Sequence, residues 1–283
     1  MAEQVDVARI LKEEFDMAKT WFITGTSKGF GREWAEAALD RGDNVAATAR
    51  NTDQLQPLVE HYGSTVLPMQ LDVTDRNKAF AAVQQAAAHF GSLDIVVNNA
   101  GYGHFGMVEE LSEDDIRAQM ETNFFGALWV TQAALPIMRK QRSGRIIQVT
   151  SEGGIRAFPG IGAYHASKWA LEGLSQSLSQ EVEHFGIHIT MVEPGPYSTD
   201  WLTVGSGHSE ENPDYKIVRD GIEGSWQRGT PSATRSAILK VVDADKPPLR
   251  IFFGKSLEPV TAEYEQRLAT WNEWQPVSLE AFG

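Results

Sequence analysis

The amino-acid sequence predicts an α/β fold, a doubly wound parallel sheet flanked by helices on both faces. Two observations carry this. Short apolar runs alternate with longer helical stretches along most of the chain, and such alternation builds a parallel sheet. The runs are also continuously apolar, as in Ile95-Val96-Val97 and Ile146-Ile147-Gln148-Val149, which is how strands buried on both faces read. Strands are expected over residues 20–24, 44–48, 66–71, 94–97, 145–149, 188–192 and 249–253. Helices are expected over residues 32–41, 76–90, 114–142 and 163–185. No repeat, low-complexity block or linker divides the chain, so residues 17–283 read as one domain. Residues 1–16 carry five acids and no continuous apolar core. They read as a peripheral extension rather than a signal peptide. Residues 200–232 break the rhythm, being rich in Gly, Ser, Asn, Asp and Pro with scattered Trp201, Leu202, Tyr215, Ile217 and Trp226. A long excursion of that kind reads as a lid over a neighbouring site.

Composition narrows the function. A net charge of −13 argues against nucleic-acid binding. It also requires that any anionic cofactor be held by local cations and backbone donors. The chain has no cysteine, which excludes disulfides, thiol catalysis and thiolate metal sites and fits a cytoplasmic protein. No apolar run reaches membrane-spanning length, and no metal site is expected.

Three residues suggest proton transfer. Tyr164 and Lys168 stand four residues apart on an expected helix, and Ser151 lies thirteen residues upstream of the tyrosine. Side chains at that helical spacing share a face, with Cβ atoms about 5–6 Å apart. A phenol titrates near pH ~10, and a neighbouring ammonium is expected to lower that value. Such a tyrosine can give a proton to a carbonyl oxygen or take one from an alcohol. A serine hydroxyl can hold the same oxygen.

The first strand runs into Thr24-Gly25-Thr26-Ser27-Lys28-Gly29-Phe30-Gly31, followed by a helix. Glycines there allow a tight turn and close approach of a pyrophosphate to the helix N-terminus. Further on come Asn98-Asn99-Ala100-Gly101, then Asn123, then Ser151, Tyr164 and Lys168, then Pro194-Gly195-Pro196-Tyr197-Ser198-Thr199. This ordered series, over about residues 20–200, resembles the short-chain dehydrogenase/reductase superfamily. Pro248-Leu249-Arg250-Ile251-Phe252-Phe253-Gly254 is similar to its 17β-hydroxysteroid and retinol dehydrogenase branch. The resemblance implies a single Rossmann-type domain and an oxidoreductase.

It also implies roles. Asn123, Ser151, Tyr164 and Lys168 would be catalytic: Tyr164 as acid–base, Lys168 bonding the nicotinamide ribose, Ser151 holding the substrate oxygen, and Asn123 binding a water that links Lys168 to solvent. Gly25, Thr26, Ser27, Lys28, Gly29, Phe30 and Gly31 would cradle the cofactor phosphates. Asp72 and Val73 would meet the adenine. Asn99, Ala100 and Gly101 would line the floor, and Pro194, Gly195 and Thr199 would surround the nicotinamide. Thr150-Ser151 replaces the Ser-Ser common in the family, which leaves the catalytic serine in place. Glu152, directly after it, has no role in this pattern.

Charge points to the cofactor. The second strand ends in Ala49-Arg50 with no acid, so nothing there would bond the ribose hydroxyls as NAD requires. Arg50 and Lys28 are instead placed to meet the extra phosphate of NADP (NADPH). The expected substrate is a moderately apolar carbonyl or secondary alcohol, approached from residues 102–107, 153–162 and the excursion, with Phe105, Phe158, Trp201 and Leu202 offering apolar surface. No basic residue for a charged substrate is evident. The alternatives are a non-catalytic NADP-binding regulator, or an epimerase or dehydratase on the same fold. A homodimer or homotetramer is expected through the two long helices, using Ala127, Leu128, Val130, Ala133, Leu135, Leu171, Leu174, Leu178 and Val182.

Overall fold

The computed structural model describes residues 18–199, 206–222 and 227–283. The expected extension over residues 1–16, and Trp201, Leu202 and Trp226 of the expected lid, lie outside the described residues. In chain order the strands are β1 (Thr20–Ile23), β2 (Asn44–Ala49), β3 (Val66–Gln70), β4 (Ile95–Asn98), β5 (His104–Phe105), β6 (Gly144–Val149), β7 (Ile187–Pro194), β8 (Gly207–His208) and β9 (Arg250–Phe253). Seven of them form one parallel sheet in the order β3-β2-β1-β4-β6-β7-β9. β5 and β8 pair separately. The expected strands all form, with ends displaced by a residue or two.

Successive residues alternate between two cores. Trp21 and Ile23 of β1 join Val45, Ala47, Val97 and Val192 on one face. That face is covered by α1 (Gly29–Asp40), the short α2 (Gln56–Tyr62) and α8 (Arg235–Asp243). Phe22 of β1 joins Ala46, Val96, Ile146 and Ile189 on the other. There α3 (Arg76–Phe90), α5 (Gly126–Gln141) and α6 (Gly162–Val182) pack. Burial on both faces is why the strands read as unbroken apolar runs. The sheet order reverses between β1 and β4, so the carboxyl ends of these strands border the crevice where α/β sheets bind ligands.

The expected helix over 114–142 is interrupted. α4 (Glu113–Met120) passes through a π-helical turn, Glu121–Phe125, into α5. The Gly126 N–H reaches Glu121 O, five residues back. Gly126 packs on Val73 so closely that a Cβ would lie 2.6 Å from Val73 Cγ2. π turns often mark functional positions, and Asn123 stands within this one.

The expected subunit surface is mostly used within the chain. Ala127, Val130, Ala133, Leu171, Leu178 and Val182 are buried, and only Leu128, Leu135 and Leu174 are half-buried. A helix packed on its own sheet shows the same apolar periodicity as one packed on a partner. Among the described residues, exposed large apolar side chains concentrate instead on α9 (Leu257–Phe282), at Leu268, Trp271, Trp274, Val277, Leu279 and Phe282. The remaining helix, α7 (Lys216–Ile222), belongs to the excursion. No helix among the described residues is long and apolar enough to cross a membrane.

Candidate active site

The crevice is a cavity of about 860 Å³. Its wall includes Gly25, Ser27, Lys28, Gly29, Phe30, Arg50, Asp72, Val73, Asn99, Ala100, Gly101, Ser151, Tyr164, Lys168, Pro194, Gly195 and Thr199. Residues expected from seven separate segments therefore meet in one space. Thr26, Gly31 and Asn123 do not reach it; they stand behind the wall.

The Gly-rich turn follows from local chemistry. Gly25 and Gly29 take φ of +69° and +61°, a region costly for residues with a Cβ. Thr26 is fully buried and ties the turn to β2, its N–H and Oγ1 both donating to Thr48 O at 2.9 Å. Asn99 Nδ2 donates to Thr24 O at 2.9 Å and Gly25 O at 3.0 Å, fastening the turn to the end of β4. α1 starts at Gly29 with no side-chain cap and no acid in its first turn. Its N-terminal N–H groups and dipole thus favour an anion beside the cavity. Gly31 fits because it has no side chain. A Cβ there would collide with Gly25 O and lie 2.5 Å from Asn99 Nδ2. Gly31→Ala is expected to cost about 1–3 kcal/mol through this overpacking, seen as a lowered thermal midpoint, and to weaken dinucleotide binding in a fluorescence titration.

At the other end of the cavity α6 presents Tyr164 and Lys168, both buried. Ser151 begins the turn after β6, where its Oγ accepts from Gly153 N at 3.0 Å, and it also hydrogen bonds the Tyr164 phenol. Lys168 Nζ donates to Val149 O at 2.8 Å and lies 5.8 Å from the centre of the Tyr164 ring. The phenol is not lowered as the spacing suggests. Burial pushes it up to about 12, the Ser151 hydrogen bond opposes this, and the charge of Glu152 adds to it. Burial likewise pulls the Lys168 ammonium down to about 8, against the charge of Glu172. Desolvation outweighs pairing at this depth because both groups are buried. In the protein alone the Tyr164 phenol is therefore neutral at ordinary pH.

Asn123 is 1% exposed and fully engaged. Its Nδ2 donates to Tyr102 O at 2.9 Å and Ser167 Oγ at 3.0 Å, and its Oδ1 accepts from Tyr102 N at 3.0 Å. It thereby joins the π turn, the wall residue Tyr102 and α6. Asn98 Nδ2 donates to Thr131 Oγ1 at 2.9 Å and to Gln148 Oε1 at 3.0 Å, tying β4 to α5 and β6.

Several participants were not evident from the sequence. His165, beside Tyr164, receives the Phe158 N–H on Nε2 at 2.8 Å and contacts Gly153 O through Nδ1 at 2.7 Å. It pins both ends of a wall segment as the neutral Nδ1–H tautomer, in keeping with a pKa that burial lowers. Beyond Phe158 lies a second cavity of about 440 Å³, which shares Glu152, Phe158 and Pro196 with the first. Arg156, Arg228 and Lys255 line it, so basic residues do stand near the site. They come from three distant segments, which no local pattern connects. Arg156 pairs with Glu152 at 3.2 Å.

The described part of the excursion docks on the residues after β4. His208 stacks on Phe105 at 5.0 Å, Asn212 N donates to Glu110 Oε1 at 2.8 Å, and Arg219 pairs with Glu110. Ser206 and Gly207 reach the cavity wall.

Residues 19–206 match the model of the short chain dehydrogenases. Oxidoreductase BOA17 of Botryotinia fuckeliana (strain B05.10) is 41% identical over 271 residues, covering 93% of this chain and 99% of that protein. A short-chain dehydrogenase from Streptomyces avermitilis has a similar structure, with a TM-score of 0.88, 39% identity and coverage of 94% of this chain and 99% of that one. An alcohol dehydrogenase from the archaeon Thermococcus sibiricus, complexed with 5-hydroxy-NADP, has a TM-score of 0.71 and 25% identity, covering 84% of this chain and 96% of that one. The chain belongs to the short-chain dehydrogenase family, a family of oxidoreductases.

Proposed function

We propose that the protein is an NADP(H)-dependent carbonyl reductase or alcohol dehydrogenase acting on a moderately apolar small molecule. One observation carries this reading. A single cavity runs from two cations, Lys28 and Arg50, past an uncapped helix N-terminus, to Ser151, Tyr164 and Lys168. The residues suit a dinucleotide: glycines fill the positions where a Cβ would block the turn, and the cations suit a third phosphate. The 5-hydroxy-NADP of the Thermococcus sibiricus relative agrees with that choice.

When bound, NADPH supplies the hydride. The chain's residues manage the carbonyl oxygen, which gains negative charge as its carbon takes the hydride. Ser151 orients the substrate carbonyl and stabilises charge on its oxygen. Tyr164, neutral at ordinary pH, donates the proton. Lys168 holds the ribose hydroxyls and favours the phenolate that remains. Asn123 keeps the path by which that proton is replaced. Asp72, Val73, Asn99, Ala100, Gly101, Pro194, Gly195 and Thr199 bound the cofactor. The stretch over residues 200–232 serves as the lid of one domain spanning 17–283, and assembly as a homodimer or homotetramer belongs to the same proposal.

The test is a screen of NADPH consumption over aliphatic, aromatic and polycyclic carbonyls, repeated with NADH. Turnover with NADPH is expected for at least one apolar class. A protein that binds NADPH but consumes none across the screen is a regulator rather than an enzyme. A product unchanged in oxidation state would mark an epimerase or dehydratase.

A further inference from the structure

One helical turn beyond Lys168 lies a carboxyl pair with no part in the reaction as described. Glu172 stands four residues after Lys168 on α6 and is 4% exposed. Glu193, on the α6-facing side of β7, is 1% exposed. Arg250 of β9 reaches both, with Nε 3.0 Å from Glu172 Oε2 and 3.5 Å from Glu193 Oε1. Its Nη2 continues to Gln176 Oε1 at 3.0 Å, toward the surface. Thr150, just after β6, donates its hydroxyl to Val192 O at 3.0 Å and stands beside Glu172, whose pKa it lowers. Among the described residues, Glu172 Oε1 and Glu193 Oε1 make no hydrogen bond. The turn Glu152–Gly154 seals the group on the cavity side: a Cβ on Gly154 would lie 3.1 Å from Glu172 Cγ and 3.3 Å from Lys168 O.

Such burial of acids is costly unless their charge has a use or is removed. The charged and titratable groups around Glu172 are Lys168 on its own helix, Glu193 from β7 and Arg250 from β9. Two carboxyls this close cannot both ionise cheaply. We infer that Glu172 is a positioning residue for proton transfer: it stays ionised as the counter-charge that keeps Lys168 an ammonium, while Glu193 holds the one proton of the pair. This rests on the reading of Lys168 as a member of the catalytic group. Energetics agree with the geometry. Burial, and then the charge of Glu172, push Glu193 up to about 8. Glu172 itself is raised by burial but held back by Thr150, Arg250 and Lys168. Lys168, already drawn down to about 8, has Glu172 as the charge that resists the fall. Removing that charge lowers Lys168 further, so its ammonium is lost at a lower pH.

The experiment follows the Lys168 13Cε resonance through a pH titration, assigned by its loss in Lys168→Met, in full-length wild type, Glu172→Gln and Glu172→Asp. The Gln variant is expected to move the Lys168 midpoint down by about one pH unit or more, with the alkaline limb of kcat following it. The Asp variant is expected to keep most of the wild-type midpoint. In wild type at pH 7, the 13Cδ shifts of the pair are expected to read Glu172 as carboxylate and Glu193 as acid, a measurement that needs no variant to fold. A Lys168 midpoint indifferent to Glu172→Gln, or a protonated Glu172 at pH 7, overturns the inference. Its failure is distinct from that of the functional reading. A midpoint that moves in a protein without turnover leaves this inference standing, and turnover lost in Tyr164→Phe with an unmoved midpoint leaves only the functional reading.

Discussion

Tyr164→Phe is expected to reduce kcat for NADPH-dependent carbonyl reduction by about 10²–10⁴-fold, the range set by loss of a general acid. The substitution keeps the ring in its buried place on α6 and removes only the hydroxyl that bonds Ser151. Folding is therefore expected to change by about 1 kcal/mol or less, one hydrogen bond's worth. NADPH affinity should stay within a few-fold, because Gly25, Lys28, Arg50 and Lys168 remain. The decisive pattern is turnover lost with binding and thermal midpoint retained, measured by initial rates, fluorescence titration and calorimetry on one preparation. A kcat within about threefold of wild type would exclude Tyr164 as the proton donor. The pH profile adds a second reading. With the phenol near 12, Tyr164 does not ionise between pH 6 and 8. Any loss of activity there as pH rises must come from another group, and Lys168, near 8, is the one in contact with the site.

That contrast shows where the sequence could and could not be read. Strands were legible because burial on both faces leaves unbroken apolar runs. The gathering of the candidate site residues around one cavity was legible because close backbone approach demands glycine and the other motifs stand at the carboxyl ends of successive strands or on the next helix. The sign of the Tyr164 shift was not legible. Spacing places an ammonium near the phenol, but only the fold shows that Lys168 is engaged by Val149 O and that the cavity wall removes water from both groups. Thr26 and Gly31 belong to the Gly-rich turn, yet they hold and fit that turn rather than line the cavity. Glu193 sits in an apolar strand and Glu172 in an ordinary helical stretch. Their pairing depends on α6 crossing β7, a contact that neither segment announces. The same holds for the six core residues expected at a subunit surface.

Cofactor choice carries the other large expected effect. Arg50→Asp should lower kcat/KM for NADPH by on the order of 10²-fold, since a charge-assisted partner of a phosphate becomes a repulsive one. The same carboxylate would bond the ribose hydroxyls of NADH, so the NADPH-to-NADH ratio should fall further than the NADPH value alone. The position allows a clean test. Arg50 is exposed at the mouth, directly after β2, and among the described residues it forms no ion pair, so its replacement removes no structural partner. Gln70 Nε2 donates to Arg50 O, a backbone contact that any side chain preserves. Lys28→Ala is the companion variant. It removes a cation without adding an acid, so NADPH binding should weaken while NADH gains nothing. Both effects should shrink as salt is raised, because exposed charges are screened within about 10 Å at 0.1 M. With a net charge of −13 the whole molecule repels an anion, so the preference must come from these few cations. An Arg50→Asp enzyme whose NADPH-to-NADH ratio stays within threefold of wild type would show that the third phosphate is not read at this position.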